Sequence, residues 1–287
     1  MKSDIKGTGV AIVTPFNKDL SIDFHGLNNL IHHVIQSGVD YLVVNGTTGE
    51  SSTLTIEEKL LIIKFVVKTT KKGVPIVYGL GGNNTSDIIS NLKEFDSSGI
   101  DAILSVSPYY NRPTQQGITH HFNTIADKSE LPLIIYNVPS RTASNLEWKT
   151  TVELSKHQNI IGIKEASGDL YQCMQIIAHS SEGFLTISGD DMLTLPMMSI
   201  GAKGVISVLA NAFPSHFKKM VHGNNEEAKP GLFSLLNINP LMYVESNPVG
   251  IKEVLRQLGI CNNYVRSPLI SASNQLIDDI TIALQHI

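Results

Sequence analysis

The chain has 287 residues, 42% of them hydrophobic, which is enough to bury a core without disulfide or metal support. Its 22 Lys and Arg against 26 Asp and Glu give a net charge of -4, which argues against nucleic-acid binding because that class carries a basic excess. Two cysteines form neither a disulfide framework nor a zinc cluster. No apolar run approaches the ~20 residues that span a bilayer. We therefore expect a globular cytoplasmic protein that acts on neither nucleic acid nor membranes.

Short runs rich in β-branched residues recur along the chain, roughly 20 to 35 residues apart, and a helical apolar pattern follows each. The spacing of Thr55 and Glu58 is that of a capping box, which predicts that the second helix begins there. Eight such units predict an α/β protein of the closed (β/α)8 type, a TIM barrel. An open doubly wound sheet is the alternative, but no G-x-G-x-x-G follows the first run. The predicted strands are Gly9–Thr14, Tyr41–Val44, Pro75–Tyr78, Ala102–Val106, Leu133–Tyr136, Ile160–Lys164, Leu185–Ser188 and Gly204–Val208.

The chain after the last predicted strand has a helical pattern only. We assign residues 1–224 to the barrel and residues 225–287 to a C-terminal helical region. Its two clearest helices are predicted at Asn247–Leu258 and Pro268–His286, and Lys229-Pro230-Gly231 predicts an interruption between helices.

Polar segments follow five of the predicted strands. A barrel carries its active site at the carboxyl ends of its strands, so these segments are expected to meet. None of them has the spacing of metal ligands, and we predict no metal and no dissociable cofactor. The segments are Gly46–Glu50, Ser107–Pro113, Tyr136–Thr142, Lys164–Gly168 and Ser188–Asp191.

Lys164 ends the sixth predicted strand. Alternation along the strand places Lys164 and Gly162 on one face, with Ile161 and Ile163 on the other. An ammonium in a barrel mouth with apolar walls loses water, which lowers its pKa and makes the amine a nucleophile able to form a Schiff base with a carbonyl substrate. Strand position alone favours the alternative, a lysine that marks a strand end and points to solvent.

Tyr136 lies at the same end of the preceding strand, 28 residues before Lys164. Neighbouring strands are roughly 4.8 Å apart, so a phenol on one can reach an amine on the next and shuttle protons for Schiff-base chemistry. By itself Tyr136 is better explained as a core aromatic. Together with Thr47, Thr48 and Tyr110, however, it forms a set of hydroxyls that packing does not explain.

Arg141 follows Tyr136 in the same loop, where a guanidinium can clamp a carboxylate substrate. A solvated loop arginine is an equally good interpretation without further context. Glu165 points to the opposite face from Lys164, so we interpret it as a structural charge. Asp190-Asp191 is better explained by a helix N-cap than by a cation site.

These residues resemble the motifs of the dihydrodipicolinate synthase family, in the family's order and from Gly9 to about Leu258. The threonine motif is shared with the wider group of pyruvate-dependent aldolases, whereas the loop that carries Arg141 is more specific. The matching motifs are Gly46-Thr47-Thr48-Gly49-Glu50, Pro108-Tyr109-Tyr110-Asn111, Tyr136-Asn137-Val138-Pro139-Ser140-Arg141-Thr142, Ile163-Lys164-Glu165 and Gly204-Val205-Ile206-Ser207.

The resemblance implies a lyase that condenses pyruvate with aspartate-4-semialdehyde in lysine and diaminopimelate biosynthesis. Lys164 would form the Schiff base with pyruvate, and the enamine that follows would attack the aldehyde. Thr48, Tyr110 and Tyr136 are similar to the family's proton relay, with Tyr110 supplied by a neighbouring subunit.

The resemblance also implies the substrate contacts and the assembly. Thr47 would hold the pyruvate carboxylate together with nearby backbone N–H groups, and Arg141 would receive the carboxylate of the second substrate. Gly189 and Ile206 match positions that line the pyruvate pocket. A homotetramer, built as a dimer of tight dimers, is typical of the family.

A possible effector site matches the family only in part. Family members that lysine inhibits bind it at the tight-dimer interface, where Ser51, Asn83 and Tyr109 match. Inhibited members commonly carry histidine at the positions of Ile56 and Lys59. Glutamate is usual where this chain has Asp87. An extra cation at Lys59 opposes a cationic effector, so we predict weak or absent inhibition by lysine.

Two alternatives stay open at this level. Another pyruvate-dependent aldolase, such as N-acetylneuraminate lyase or a keto-deoxy-sugar-acid aldolase, would keep Lys164, Tyr136 and the threonines but does not usually place an arginine at Arg141. A barrel that binds pyruvate or an amino acid without catalysis would tolerate loss of the lysine or a tyrosine, yet the full set is present.

Overall fold

A computed structural model describes residues 5–71 and 73–287 of the chain. Eight parallel strands form a closed barrel in which every strand pairs with its neighbours in chain order, and β8 pairs with β1. This confirms the predicted (β/α)8 barrel and excludes the open doubly wound sheet. The strands are β1 (Gly7–Ala11), β2 (Tyr41–Val44), β3 (Ile76–Gly79), β4 (Ala102–Val106), β5 (Leu133–Asn137), β6 (Ile160–Glu165), β7 (Leu185–Ser188) and β8 (Gly204–Ser207).

Helices follow the strands and cover the barrel. The predicted capping box opens α2: the Thr55 hydroxyl accepts from the Glu58 backbone N–H, and the Glu58 carboxylate accepts from the Thr55 N–H. The helices are α1 (Phe24–Gln36), α2 (Ile56–Thr70), α3 (Thr85–Glu94), α4 (Gln115–Lys128), α5 (Pro139–Thr142), α6 (Trp148–Leu154), α7 (Leu170–His179), α8 (Thr194–Ser199), α9 (Pro214–His222), α10 (Asn225–Ser234), α11 (Val249–Gln257) and α12 (Asn274–Leu284).

Most predicted strand bounds agree with the structure to within two residues, and the larger differences concern the end of β1 and the register of β6. β1 ends at Ala11 rather than Thr14, because the Val13 N–H donates to the Asn211 side chain instead of a strand partner. The register between β5 and β6 shifts after Leu133, which leaves Ile161 as an extra residue that packs inside the barrel. The prediction that Ile161 faces outward was therefore wrong.

The C-terminal segment packs on the barrel. The proposed division after residue 224 falls between α9 and α10, and these two helices pack against each other. The predicted interruption at Lys229-Pro230-Gly231 was wrong, because α10 continues through Pro230. The last helix starts at Asn274 instead of Pro268, where the Ser273 hydroxyl caps it by accepting from the Leu276 N–H. In the described residues, no helix combines the length and apolarity that crossing a bilayer requires.

Candidate active site

A cavity of about 820 Å³ opens at the carboxyl ends of the strands. Most of the residues predicted from the strand ends line it, although they come from four different strand–loop segments. The C-terminal region closes one side with Asn239, Tyr243, Ser246 and Asn247. The predicted residues that line the cavity are Thr47, Thr48, Tyr136, Arg141, Lys164 and Gly189.

Lys164 projects from β6 into this cavity and is 94% buried, with a relative exposure of 6%. Glycine at position 189 makes room for it: a Cβ added there would lie 3.0 Å from Lys164 Cε and 2.7 Å from Ala166 Cβ. Within the described chain, no carboxylate or carbonyl accepts a hydrogen bond from Lys164 Nζ. The amine is therefore held in place by packing and is free to react.

Burial lowers the pKa of Lys164 from its ordinary 10.5 to about 8. The buried carboxylate of Asp191 opposes this shift, and the guanidinium of Arg141 adds to it. A much larger fraction of the Lys164 amine is therefore neutral near pH 7 than for a lysine with an ordinary pKa. The site thus supplies the protonation state that a nucleophilic lysine needs.

Tyr136 is the direct register partner of Lys164 across β5 and β6. Lys164 Nζ lies 4.4 Å from the centroid of the Tyr136 ring. Burial raises the pKa of the phenol to about 12, with Arg141 opposing and Glu165 adding to the shift. Tyr136 is therefore protonated at neutral pH, next to the amine, as a proton donor in Schiff-base chemistry must be.

The Gly46–Glu50 loop is held in a tight conformation at the end of β2. Asn45, just before the loop, and Glu50, its last residue, have positive φ angles of 57° and 54°. β3 approaches so closely that a Cβ at Gly79 would lie 2.5 Å from the Asn45 carbonyl oxygen. Within the described residues, the backbone N–H groups of Thr47 and Thr48 have no acceptor. Two free donors beside exposed Thr47 form a site for an anion such as a carboxylate.

Two contacts from the C-terminal segment fix this loop, and the sequence did not reveal them. Asn247 Nδ2 donates to Thr48 Oγ1 at 3.0 Å, and Lys252 Nζ in α11 donates to Glu50 Oε1 at 2.5 Å. The only local signal is the Asn-Pro pair at Asn247, which marks a turn.

Arg141 lies in the short helix α5, directly after β5, where its exposed side chain reaches the cavity. Its charge lowers the pKa values of both Lys164 and Tyr136, which places it in the electrostatic field of the site. Together with Lys164 and Lys59 it gives the cavity three cationic side chains. An anionic ligand fits this charge.

Glu165 points away from the cavity into a buried polar network, as expected for a structural charge. Its carboxylate accepts from Asn137 Nδ2, Gln172 Nε2 and the Ser167 N–H. Burial raises its pKa against these hydrogen bonds. Glu165 ties β6 to β5 and α7 and so fixes the strand that carries Lys164.

The two aspartates after β7 have different positions. Asp190 lines the cavity, and its Oδ1 accepts from the backbone N–H groups of Met192 and Leu193 in the turn before α8. The predicted N-cap was wrong, because the N-cap position of α8 is Leu193, which has no side-chain capping hydrogen bond. Asp191 is buried, and its Oδ2 accepts from the N–H groups of Val208 and Leu209. Burial raises the pKa of Asp191 to about 6. Among the described residues, no cluster of three or more His, Cys, Asp or Glu could hold a metal ion.

Three predicted site residues do not line the cavity of this chain. Tyr110 is 91% exposed, with a positive φ of 72°. Ile206 is buried in the apolar cluster inside the barrel. Asn83 lies outside the cavity, where its carbonyl accepts from Asn111 Nδ2.

The cavity extends toward the possible effector residues. Ser51 and Tyr109 line it together with half-buried Lys59. Burial lowers the pKa of Lys59.

Residues 4–287 match the model of the dihydrodipicolinate synthetase family. A 4-hydroxy-tetrahydrodipicolinate synthase of Cytophaga hutchinsonii is 48% identical over 278 residues, which are 96% of this chain and 94% of that protein. A crystal structure of a dihydrodipicolinate synthase from Bacillus anthracis superposes with a TM-score of 0.95 at 36% identity and covers 99% of both chains. The chloride-inhibited enzyme of Acinetobacter baumannii, solved in complex with pyruvate, gives a TM-score of 0.94 at 37% identity over 98% of both chains.

Proposed function

The chain belongs to the dihydrodipicolinate synthetase family, and we propose that it condenses pyruvate with aspartate-4-semialdehyde to 4-hydroxy-tetrahydrodipicolinate. This lyase reaction belongs to lysine and diaminopimelate biosynthesis. One observation carries the proposal: a buried, unpaired Lys164 with a pKa of about 8 lies on the ring of a protonated Tyr136. This is the arrangement that Schiff-base formation with a keto acid requires.

The neutral amine of Lys164 attacks C2 of pyruvate and forms a carbinolamine. Loss of water then gives the Schiff base, and the departing oxygen must receive a proton. We assign delivery of that proton to the phenol of Tyr136 and its exchange to the Thr48 hydroxyl, because both residues line the cavity. Loss of a proton from C3 gives the enamine, whose C3 forms the new carbon–carbon bond with the aldehyde.

The pyruvate carboxylate is assigned to the Gly46–Glu50 loop. The free N–H groups of Thr47 and Thr48 and the Thr47 hydroxyl offer donors to one carboxylate. Gly189 leaves space beside the Lys164 side chain, and Ile206 lies in the apolar interior of the barrel. Pyruvate thus presents its carbonyl to Lys164 and its methyl group to the open cavity.

The second substrate carries its own carboxylate, which we assign to Arg141 because its guanidinium is a bidentate donor and its side chain lines the cavity. A sugar-acid aldolase would instead use hydroxyl-binding groups at this position. The curated relatives share the synthase name, which favours the synthase over N-acetylneuraminate lyase or a keto-deoxy-sugar-acid aldolase.

We also propose a homotetramer, a dimer of dimers, in the cytoplasm. The support is Tyr110: its phenol is fully exposed on a strained backbone, and an exposed tyrosine held in that conformation fits insertion into a neighbouring subunit. Tyr110 would then complete the relay of Thr48 and Tyr136 across the interface.

Borohydride reduction in the presence of pyruvate tests the chemistry. Intact-mass spectrometry should show a pyruvyl adduct on the parent protein and none on Lys164→Ala. A coupled assay with pyruvate and aspartate semialdehyde should show turnover, whereas sialic acid should not be cleaved. An unmodified parent protein after reduction would disprove the proposed function, and turnover of sialic acid alone would favour the lyase.

A further inference from the structure

We propose that Asn247 is a positioning residue that sets the direction of the Thr48 hydroxyl. The proposal rests on the function proposed above, because it concerns the proton that Thr48 exchanges during Schiff-base formation. The observation behind it is the hydrogen bond from Asn247 Nδ2 to Thr48 Oγ1, which joins residues 199 positions apart.

The hydrogen bond lies in a closed environment. Thr48 is 2% exposed and Asn247 is 7% exposed, and both line the cavity. The side-chain amide oxygen of Asn247, Oδ1, is also buried, and it has no hydrogen-bond partner in the described chain. Water has little access to these groups, so the Asn247 amide determines the hydrogen bonding of Thr48 Oγ1.

Asn247 lies two residues before the start of α11, and that helix keeps it next to the Gly46–Glu50 loop. Ser246, just before it, has a positive φ of 77°, which fixes the turn that leads into the helix. Five residues after Asn247, Lys252 donates to Glu50 Oε1 and to the Tyr264 carbonyl. The turn that leads into α11 thus contacts the loop at Thr48, and α11 itself contacts it at Glu50.

A hydroxyl group has one proton to donate and two lone pairs to accept with. Because Asn247 donates to Thr48 Oγ1, it occupies a lone pair and leaves the hydroxyl proton free to point elsewhere. The hydroxyl proton can then point into the cavity, where Tyr136 lies and where the carbinolamine oxygen would form. Asn247 therefore makes Thr48 a proton donor toward the reacting atoms.

Replacement by a carboxylate reverses this direction. An ionised Asp at position 247 has no proton to donate, so it accepts the Thr48 proton and withdraws it from the relay. A protonated Asp can donate again, as asparagine does. The Asn247→Asp variant should therefore gain activity relative to the parent as pH falls, whereas Asn247→Ala should keep the parent's pH profile.

The test compares the rate of pyruvyl-adduct formation, quenched with borohydride and read by mass, in the parent, Asn247→Ala and Asn247→Asp. We expect Asn247→Ala to be slower by about tenfold, and Asn247→Asp to be slower still at pH 8 but to approach or exceed Asn247→Ala at acidic pH. The affinity for pyruvate should change less than the rate in either variant, since Asn247 contacts the Thr48 hydroxyl and Lys252 still holds the loop whose N–H groups are assigned to the carboxylate.

A second measurement separates positioning from simple damage to the fold. In a Thr48→Val background, adding Asn247→Ala should slow adduct formation no further, because the group it orients is gone. Additive effects of the two substitutions, or identical pH profiles for the Asp and Ala variants, would overturn this inference but not the proposed function. Absence of an adduct on the parent protein would overturn the proposed function and this inference with it.

Discussion

The ammonium of Lys252 and the carboxylate of Glu50 form an ion pair at 2.5 Å, although 202 residues separate them. Both side chains are fully or almost fully buried, with exposures of 0% and 2%. Glu50 also accepts from the Arg266 backbone N–H, and Lys252 lies 4.2 Å from the centroid of the Phe16 ring. The pair joins α11 to the Gly46–Glu50 loop.

Removal of one partner leaves a buried charge without compensation. We expect Lys252→Met or Glu50→Gln to lower the free energy of unfolding by about 3–5 kcal/mol, measured by urea denaturation. The double variant should lose clearly less than the sum of the two. Lys156→Met is the matched control: it breaks an exposed pair with Glu153, also at 2.5 Å, and should cost no more than about 1 kcal/mol. Additive losses would show that the two groups do not stabilise each other.

Gly189 is required by the space that Lys164 occupies. In Gly189→Ala the new methyl group would lie 3.0 Å from Lys164 Cε and 2.7 Å from Ala166 Cβ, so the lysine must move. We expect pyruvyl-adduct formation to slow by about 10- to 100-fold, because misplacement of a nucleophile is costly. The control is Gly82→Ala, whose nearest neighbour is Ile88 Cγ1 at an ordinary 3.6 Å. Equal adduct rates in the two variants would contradict this role.

The barrel and most of its site could be predicted from the sequence because their signals are local. Strands appear as β-branched runs, and parallel strands bring their carboxyl ends together, which places Lys164, Tyr136 and Arg141 in one cavity. Asn247 and Lys252 could not be found this way. They act across about 200 residues, and in the sequence one belongs to a turn and the other to an amphipathic helix. Tyr110 was predicted from its motif, and its role stays a prediction, because in this chain its side chain is exposed.

Charges around Lys164 should control the pH dependence of its chemistry. Only the neutral amine attacks pyruvate, so the rate of adduct formation should rise with pH up to about 8 and then level off. Arg141 lowers the pKa of Lys164, so Arg141→Ala should move the rise in rate to higher pH. Asp191 raises the pKa, so Asp191→Asn should move it to lower pH. Arg141→Lys keeps the charge and serves as the control. Shifts in the same direction for the Ala and Asn variants would rule out this electrostatic account.

Lysine should be a weak inhibitor or none. Lys59 lines the same cavity as Ser51 and Tyr109, and in the described chain no carboxylate pairs with its ammonium. A cationic effector would meet this charge directly. We expect no inhibition by lysine at low-millimolar concentration in a steady-state assay. Lys59→Gln, which removes the charge, should be inhibited more strongly than the parent. An inhibition constant in the low-millimolar range or below for the parent would refute this expectation.

Tyr110 should act in a neighbouring subunit. Its phenol is exposed at the rim of its own chain, whereas Thr48 is buried beside Asn247 and Tyr136 beside Lys164. Tyr110→Phe and Lys164→Ala should each have strongly reduced turnover as pure proteins. When the two are unfolded together and reassembled, a mixed dimer contains one site with Lys164 from one subunit and Tyr110 from the other, and the coupled assay should recover activity. A mixture that stays as inactive as its components, while size-exclusion chromatography and mass spectrometry show mixed oligomers, would place Tyr110 outside the relay.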